Sequence, residues 1–357
     1  MFAPSAINTG RQVCLDFAKV FALFWMVLSH PFEYAWLDVS QGLPWFITFI
    51  GAHALSAPVF MLCMGIGITY SHHGDPASLF RRGLRILAAG YLLNLIRFLA
   101  IFTSALVTGD LELRHYAVCE LVLVDIFQFA GLGLMLFALL QKARIPYWGL
   151  LLIALVLSLV GSQLQQVSCG NHLLNALLGP FIGIQDSYTE SYFPLFNWFI
   201  FIVVGYGMGR LLRRCTQPGR LFAILTPVTA AVYLGYTLYA VPRGLGMYNT
   251  ETTLHFYQIG TGDAFICINA MLMVTGIGYF LLRNASAGLV RQIVRIASDV
   301  QRIYLLQWLI IIWIIAALLV NVLHVPFTDY TLTLAGFGVL LASVYLARVR
   351  PFSKIRL

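Results

Sequence analysis

Charge is what this chain has least of: only 10% of its 357 residues are Asp, Glu, Lys or Arg, where a soluble domain carries about a quarter. No polar stretch is long enough to hold a soluble domain, so residues 1–357 read as one integral-membrane domain. The six cysteines, Cys14, Cys63, Cys119, Cys169, Cys215 and Cys267, form no CxxC pair. Four lie in or at the ends of apolar runs, where cysteine acts as a small hydrophobe. Cys169 and Cys215 fall on opposite sides of the expected topology, so neither metal nor disulfide chemistry is expected. A convincing cleavable leader is also missing. The first apolar run contains Asp16 and Lys19 and is followed by no clear small-residue cleavage site, so it is expected to stay as the first membrane helix.

What the chain does have is apolar surface. Sixty per cent of its residues are hydrophobic and the mean hydropathy is +0.84. A soluble protein of this composition would aggregate through its exposed patches, and lipid removes that problem. A helix needs about 20 apolar residues to cross the hydrocarbon core. Ten segments qualify: 13–33, 45–70, 83–106, 117–141, 147–167, 193–212, 221–241, 262–282, 300–323 and 327–347. The second carries Pro58, which predicts a kink or a short preceding interfacial helix. The net charge of +8 sits in short clusters between spans, which fits the positive-inside rule better than nucleic-acid binding. Every even-numbered exit is basic: Arg81, Arg82 and Arg85; Lys142 and Arg144; Arg210, Arg213, Arg214 and Arg220; Arg283, Arg291, Arg295 and Arg302; Arg348, Arg350, Lys354 and Arg356. Odd exits carry only Arg114 and Arg243. The reading is an all-α polytopic protein of about ten spans with both termini in the cytoplasm.

Ionisable groups inside a membrane cost several kcal/mol unless paired or wet, so they point to function. In the first span Asp16 and Lys19 are three apart and can pair on one face. His30, eleven residues on, returns to within about 20° of that face and lies roughly 16 Å further along. Asp16, Lys19 and His30 thus form a polar stripe on an oily helix, with Glu33 close enough to orient the imidazole. Asn94 and Arg97 in span three, Glu120, Asp125 and Gln128 in span four, Asn197 in span six and Asp263 in span eight share the outer half. The inference is an outward polar cavity that includes His30, Arg97 and Asp125. The plainer reading makes Arg97 with Asp125 or Glu120 a structural ion pair, and a lone membrane histidine is as often a packing group as a catalyst. His53 is a weaker candidate. Trp36, Trp45, Trp148 and Trp198 read as interfacial belt residues.

Several blocks resemble a known family. RQVCLDFAK from Arg11 and MVLSH from Met26 resemble the opening of the transmembrane acyltransferase superfamily, with Lys19 in place of the usual Arg and Val20 in place of the usual Gly. APVFMLCMG from Ala57, the Arg81-Arg82-Gly83 step, VDIFQFAG from Val124, and YFPLFNW from Tyr192 with Gly205 resemble later blocks. They favour the heparan-α-glucosaminide N-acetyltransferase-like branch over its acyltransferase-3 neighbour. IYLLQ from Ile303 resembles a late block that usually ends in His, so Gln307 departs from the pattern.

The resemblance implies a multi-pass acyltransferase of the plasma (inner) membrane. It would take an acetyl group from cytoplasmic acetyl-CoA and pass it to a sugar or glycan hydroxyl or amine. It implies membrane lipid and a glycan acceptor as partners, no nucleic acid and no metal, and leaves room for a homodimer. On that reading Arg11, Asp16, Lys19, Arg81, Arg82 and Arg85 form the donor site, the basic groups holding the CoA phosphates. His30 acts as base or acyl carrier, Arg97 stabilises the oxyanion, and Asp125 or Glu33 orients His30. The rivals are a carrier of a sugar-like or anionic substrate, against which stands the lack of paired broken-helix segments in the sequence, and a non-catalytic subunit of a polysaccharide-assembly complex.

Overall fold

Hydrocarbon offers no partner to a backbone N–H or C=O, so a chain this apolar must close its hydrogen bonds within helices. The computed structural model, which describes residues 2–35, 42–52, 55–165, 167–249, 257 and 259–349, is built in that way. Its helices are α1 (Val13–Ala35), α2 (Gly42–Ala52), α3 (Ala57–Tyr70), α4 (Pro76–Thr108), α5 (Leu111–Val122), α6 (Ile126–Lys142), α7 (Tyr147–Leu164), the short α8 (His172–Leu178), α9 (Leu195–Arg214), α10 (Pro218–Ala240), α11 (Thr261–Arg283), α12 (Ala287–Ile310) and α13 (Asp329–Leu346). α12 runs on as a π-helical stretch, Ile311–Val322. His53, Trp36, Arg350, Lys354 and Arg356 lie outside the described residues.

Among the described residues, eight helices are long and apolar enough to cross a membrane: α1, α4, α7, α9, α10, α11, α12 with its extension, and α13. The other two expected spans are each divided into two shorter helices, the first in line with the short preceding helix that Pro58 predicts, the second against the single span read from the sequence. Segment 45–70 divides into α2 and α3, and α3 begins with Pro58 in its first turn, where the missing N–H costs nothing. Segment 117–141 divides into α5 and α6 at residues 123–125.

α1 is the hub, packed against α2, α3, α11, α12 and α13. Two crossings need glycine for close approach. A Cβ on Gly65 of α3 would run into the Ile202 carbonyl of α9, and one on Gly205 into the Leu62 carbonyl of α3. Between α4 and α6, a Cβ on Gly131 would come within 2.8 Å of the Gly83 carbonyl. Without a hydrophobic drive between helices in lipid, such small-residue contacts carry the association. The ends of α3, α6 and α9 meet on one face, where Ser71, Gln141, Arg210, Arg213 and Arg214 line a common cleft. The N-terminal segment joins them: the amides of Ala3 and Ile7 donate to the carbonyls of Arg214 and Arg213.

Candidate active site

The break between α5 and α6 creates the site. A broken helix leaves unsatisfied carbonyls and amides that need new partners in a dry interior. Asn94 of α4 donates its side-chain amide to the carbonyls of Leu121 and Leu123, at 3.3 and 2.7 Å. The loop between α8 and α9 supplies the rest: Val124 donates to the Glu190 carbonyl, and Tyr192 donates to the Val124 carbonyl. Asp125 caps α6, accepting from the Ile126 amide at 2.6 Å, while Gln128 reaches back to the Asp125 amide. The cap thus fixes the position of a buried carboxylate.

That carboxylate is paired. Arg97 Nη2 donates to Asp125 Oδ2 at 2.7 Å, and the Tyr304 hydroxyl donates to the same oxygen at 2.9 Å. Arg97 is 1% exposed, so its charge needs this partner. Its guanidinium also lies 4.1 Å from the Trp308 ring centroid, a cation–π contact. Trp308 stacks in turn with His30, centroids 4.3 Å apart. Gln307 Nε2 and His30 Nδ1 lie 3.0 Å apart. Tyr304, Gln307 and Trp308 share one face of α12 at the i, i+3, i+4 spacing.

These groups surround one cavity with an empty volume of about 630 Å³, which places His30, Glu33, Arg97 and Asp125 around a single chamber. Its remaining polar lining is largely hydroxyl: Ser56, Tyr34, Tyr116, Tyr192, Tyr257 and Tyr304. Glu33 accepts from Tyr257 at 3.1 Å, and the buried Glu120 accepts from Tyr34 at 2.9 Å. The Tyr192 and Tyr257 rings stack at 4.4 Å.

A second cavity of about 1080 Å³ adjoins the first, and Met26, Ile126 and Tyr304 line both. It holds Lys19 and Arg82 among apolar walls that include Phe60, Met61, Met64 and Phe127. A third, of about 930 Å³, shares Lys19 and Cys63 with the second and reaches Arg11 and Asp16. The stripe of α1 read from the sequence therefore lines all three cavities in succession.

The structure redistributes several roles. Asp16 pairs with Arg11, at 2.6 and 3.0 Å, and not with Lys19. Arg11 also bonds Ser298 of α12, so this pair ties α1 to α12. Among the described residues Lys19 has no ion-pair partner, and it lines the second and third cavities. Of the three arginines opening α4, only Arg82 lines a cavity, while Arg81 and Arg85 are exposed outside it. Gln307, and not Asp125 or Glu33, is the group set against the imidazole. Trp198 is fully buried and donates to the Tyr257 carbonyl, so it is not a belt residue. Gln307 was noted in the sequence only as a departure from the late block, and Tyr304, Trp308 and Tyr257 were given no role there; for Tyr304, Gln307 and Trp308 the signal was the polar face of the IYLLQW stretch.

The family described as heparan-alpha-glucosaminide N-acetyltransferase, catalytic, matches residues 11–239. No curated protein and no solved structure matches the chain. The matched stretch covers α1 to α10 and so includes His30, Arg97 and Asp125, while Tyr304, Gln307 and Trp308 lie beyond it. A polytopic helical protein with that match over well over half its length belongs to the heparan-α-glucosaminide N-acetyltransferase catalytic family, and is a multi-pass membrane acetyltransferase of that family.

Proposed function

We propose that the chain moves an acetyl group from cytoplasmic acetyl-CoA to a hydroxyl or amine of a sugar or glycan held in the His30 chamber, in the plasma (inner) membrane. One observation carries this reading: the chamber of His30 shares the walls Met26, Ile126 and Tyr304 with a cavity whose two cationic groups are Lys19 and Arg82. The donor set fits an acyl-CoA. Lys19 and Arg82 suit phosphate, and the apolar wall of Phe60, Met61 and Met64 suits a thin, weakly polar arm. Bound acetyl-CoA supplies an acetyl group already activated as a thioester. His30 takes the proton of the acceptor hydroxyl or amine as that atom attacks the carbonyl carbon, and returns it to the sulfur as the carbon–sulfur bond breaks. Arg97 provides a fixed positive group for the charge that develops on the carbonyl oxygen, with Tyr304 holding the Asp125 carboxylate beside it. Glu33, with Tyr257 and Tyr192, offers acceptors and donors for the sugar.

His30→Ala is expected to lower transfer from labelled acetyl-CoA by about 10²- to 10⁴-fold while the protein still elutes as a folded species in detergent. Wild-type-like transfer by that variant overturns the assignment. The two broken spans around the chamber also suit a carrier. Uptake of a sugar-like substrate by proteoliposomes lacking CoA would favour that second reading.

A further inference from the structure

We infer that Gln307 is a positioning residue that fixes the tautomer of His30, its side-chain carbonyl accepting the proton on Nδ1 so that the Nε2 lone pair faces the chamber. The inference rests on the acetyl-transfer reading but concerns a residue outside the family match. Gln307 is fully buried, and its amide lies 3.0 Å from Nδ1. Its Oε1 has no hydrogen-bond partner among the described residues. Half a turn about the last side-chain bond exchanges the amide oxygen and nitrogen, and so decides what Nδ1 meets. With the nitrogen facing Nδ1, the ring proton sits on Nε2, and the chamber is offered a donor that cannot take a proton. With the carbonyl facing Nδ1, the oxygen accepts the ring N–H, the amide nitrogen takes the end that has no partner among the described residues, and His30 Nε2 is free to act as base. Only that orientation also suits the imidazolium formed when Nε2 takes the acceptor's proton, because both ring nitrogens are then donors.

Trp308, next along the helix, stacks on the ring and restricts its tilt. Glutamine contributes this without charge, which matters in a chamber already holding several carboxylates. The charged groups around His30 are Glu33 on its own helix, Arg97 from α4 and Asp125 from α6, with Glu120 from α5 behind Tyr34. The tyrosine hydroxyls are those of Tyr34, Tyr116, Tyr192, Tyr257 and Tyr304.

The test compares Gln307→Glu and Gln307→Leu with wild type in two assays. The first is diethyl pyrocarbonate modification of His30, followed by mass spectrometry of its peptide across pH, which needs no enzymatic turnover. A carboxylate facing Nδ1 stabilises the imidazolium, so Gln307→Glu is expected to move the midpoint of His30 modification up by about one pH unit or more. The second assay is acetyl transfer. Gln307→Leu is expected to lose kcat tenfold or more with KM for acetyl-CoA within twofold, while Gln307→Glu retains activity with its acidic limb shifted upward in parallel. An unmoved modification midpoint in Gln307→Glu, or an unchanged kcat in Gln307→Leu, overturns the inference. A midpoint shift in Gln307→Glu together with no acetyl transfer by the wild type overturns the proposed activity and leaves the Gln307–His30 coupling standing.

Discussion

Arg97 shows how one side chain can be both structural and poised for chemistry. It is buried, with Asp125 on one terminal nitrogen and Trp308 near its plane, while its Nε has no partner among the described residues. Removing only one member of such a pair strands the other charge, at a cost of about 3–5 kcal/mol. Arg97→Met is therefore expected to lower thermal stability sharply. Arg97→Met combined with Asp125→Leu should recover part of that loss without recovering acetyl transfer. Differential scanning fluorimetry beside a transfer assay separates the two effects. Full stability in the single variant would mean that the pair contributes nothing to the fold. The sequence spacing already suggested Arg97 with Asp125 or Glu120. It could not choose between them, because that choice depends on Asp125 capping α6 and so pointing back toward α4.

At the scale of elements, the break in the fourth apolar segment depends on the loop between α8 and α9 that pairs with Val124. Asp186 organises that loop. Burial works to raise its carboxyl, but hydrogen bonds from Asn175, His172 and the amides of Tyr188 and Thr189 outweigh this and hold it at about 2. Its folded value lies below the unfolded one of about 3.9. The stabilisation is therefore complete above about pH 4 and is lost as pH falls through the folded value. Protease sensitivity of residues 179–193 should accordingly be the same at pH 7 and pH 5, and Asp186→Asn should raise it already at pH 7. Equal cleavage of wild type and Asp186→Asn would show that the carboxylate does not hold the loop. Helix positions were readable from apolar run length and from the basic exits, since both follow from the cost of charge in lipid. The break at 123–125 was not read, although Asp125 followed by Gln128 has the spacing of a capping box, because the apolar run on either side is long enough to pass for one span. It exists because Asn94, 27 residues before Leu121, and Glu190, far beyond, supply the bonds the helix gives up. The contact of Gln307 with His30 was unreadable for a related reason: it forms only when α12 packs against α1.

For the whole molecule, the three cavities along α1 form a series with Lys19 shared by the lower two and Tyr304 shared by the upper two. Ala130 lines the middle one, so Ala130→Trp is expected to fill it. CoA should then no longer raise the melting temperature, whereas His30→Ala should keep that ligand-induced rise. A retained rise in Ala130→Trp would place the nucleotide elsewhere. The partition formed by Met26, Ile126 and Tyr304 has a consequence for the cell. On the proposed reading, side chains standing between the two cavities would let two carbons pass while the bulky, charged carrier stays in the cavity of Lys19 and Arg82, with no water-filled path opened across the bilayer.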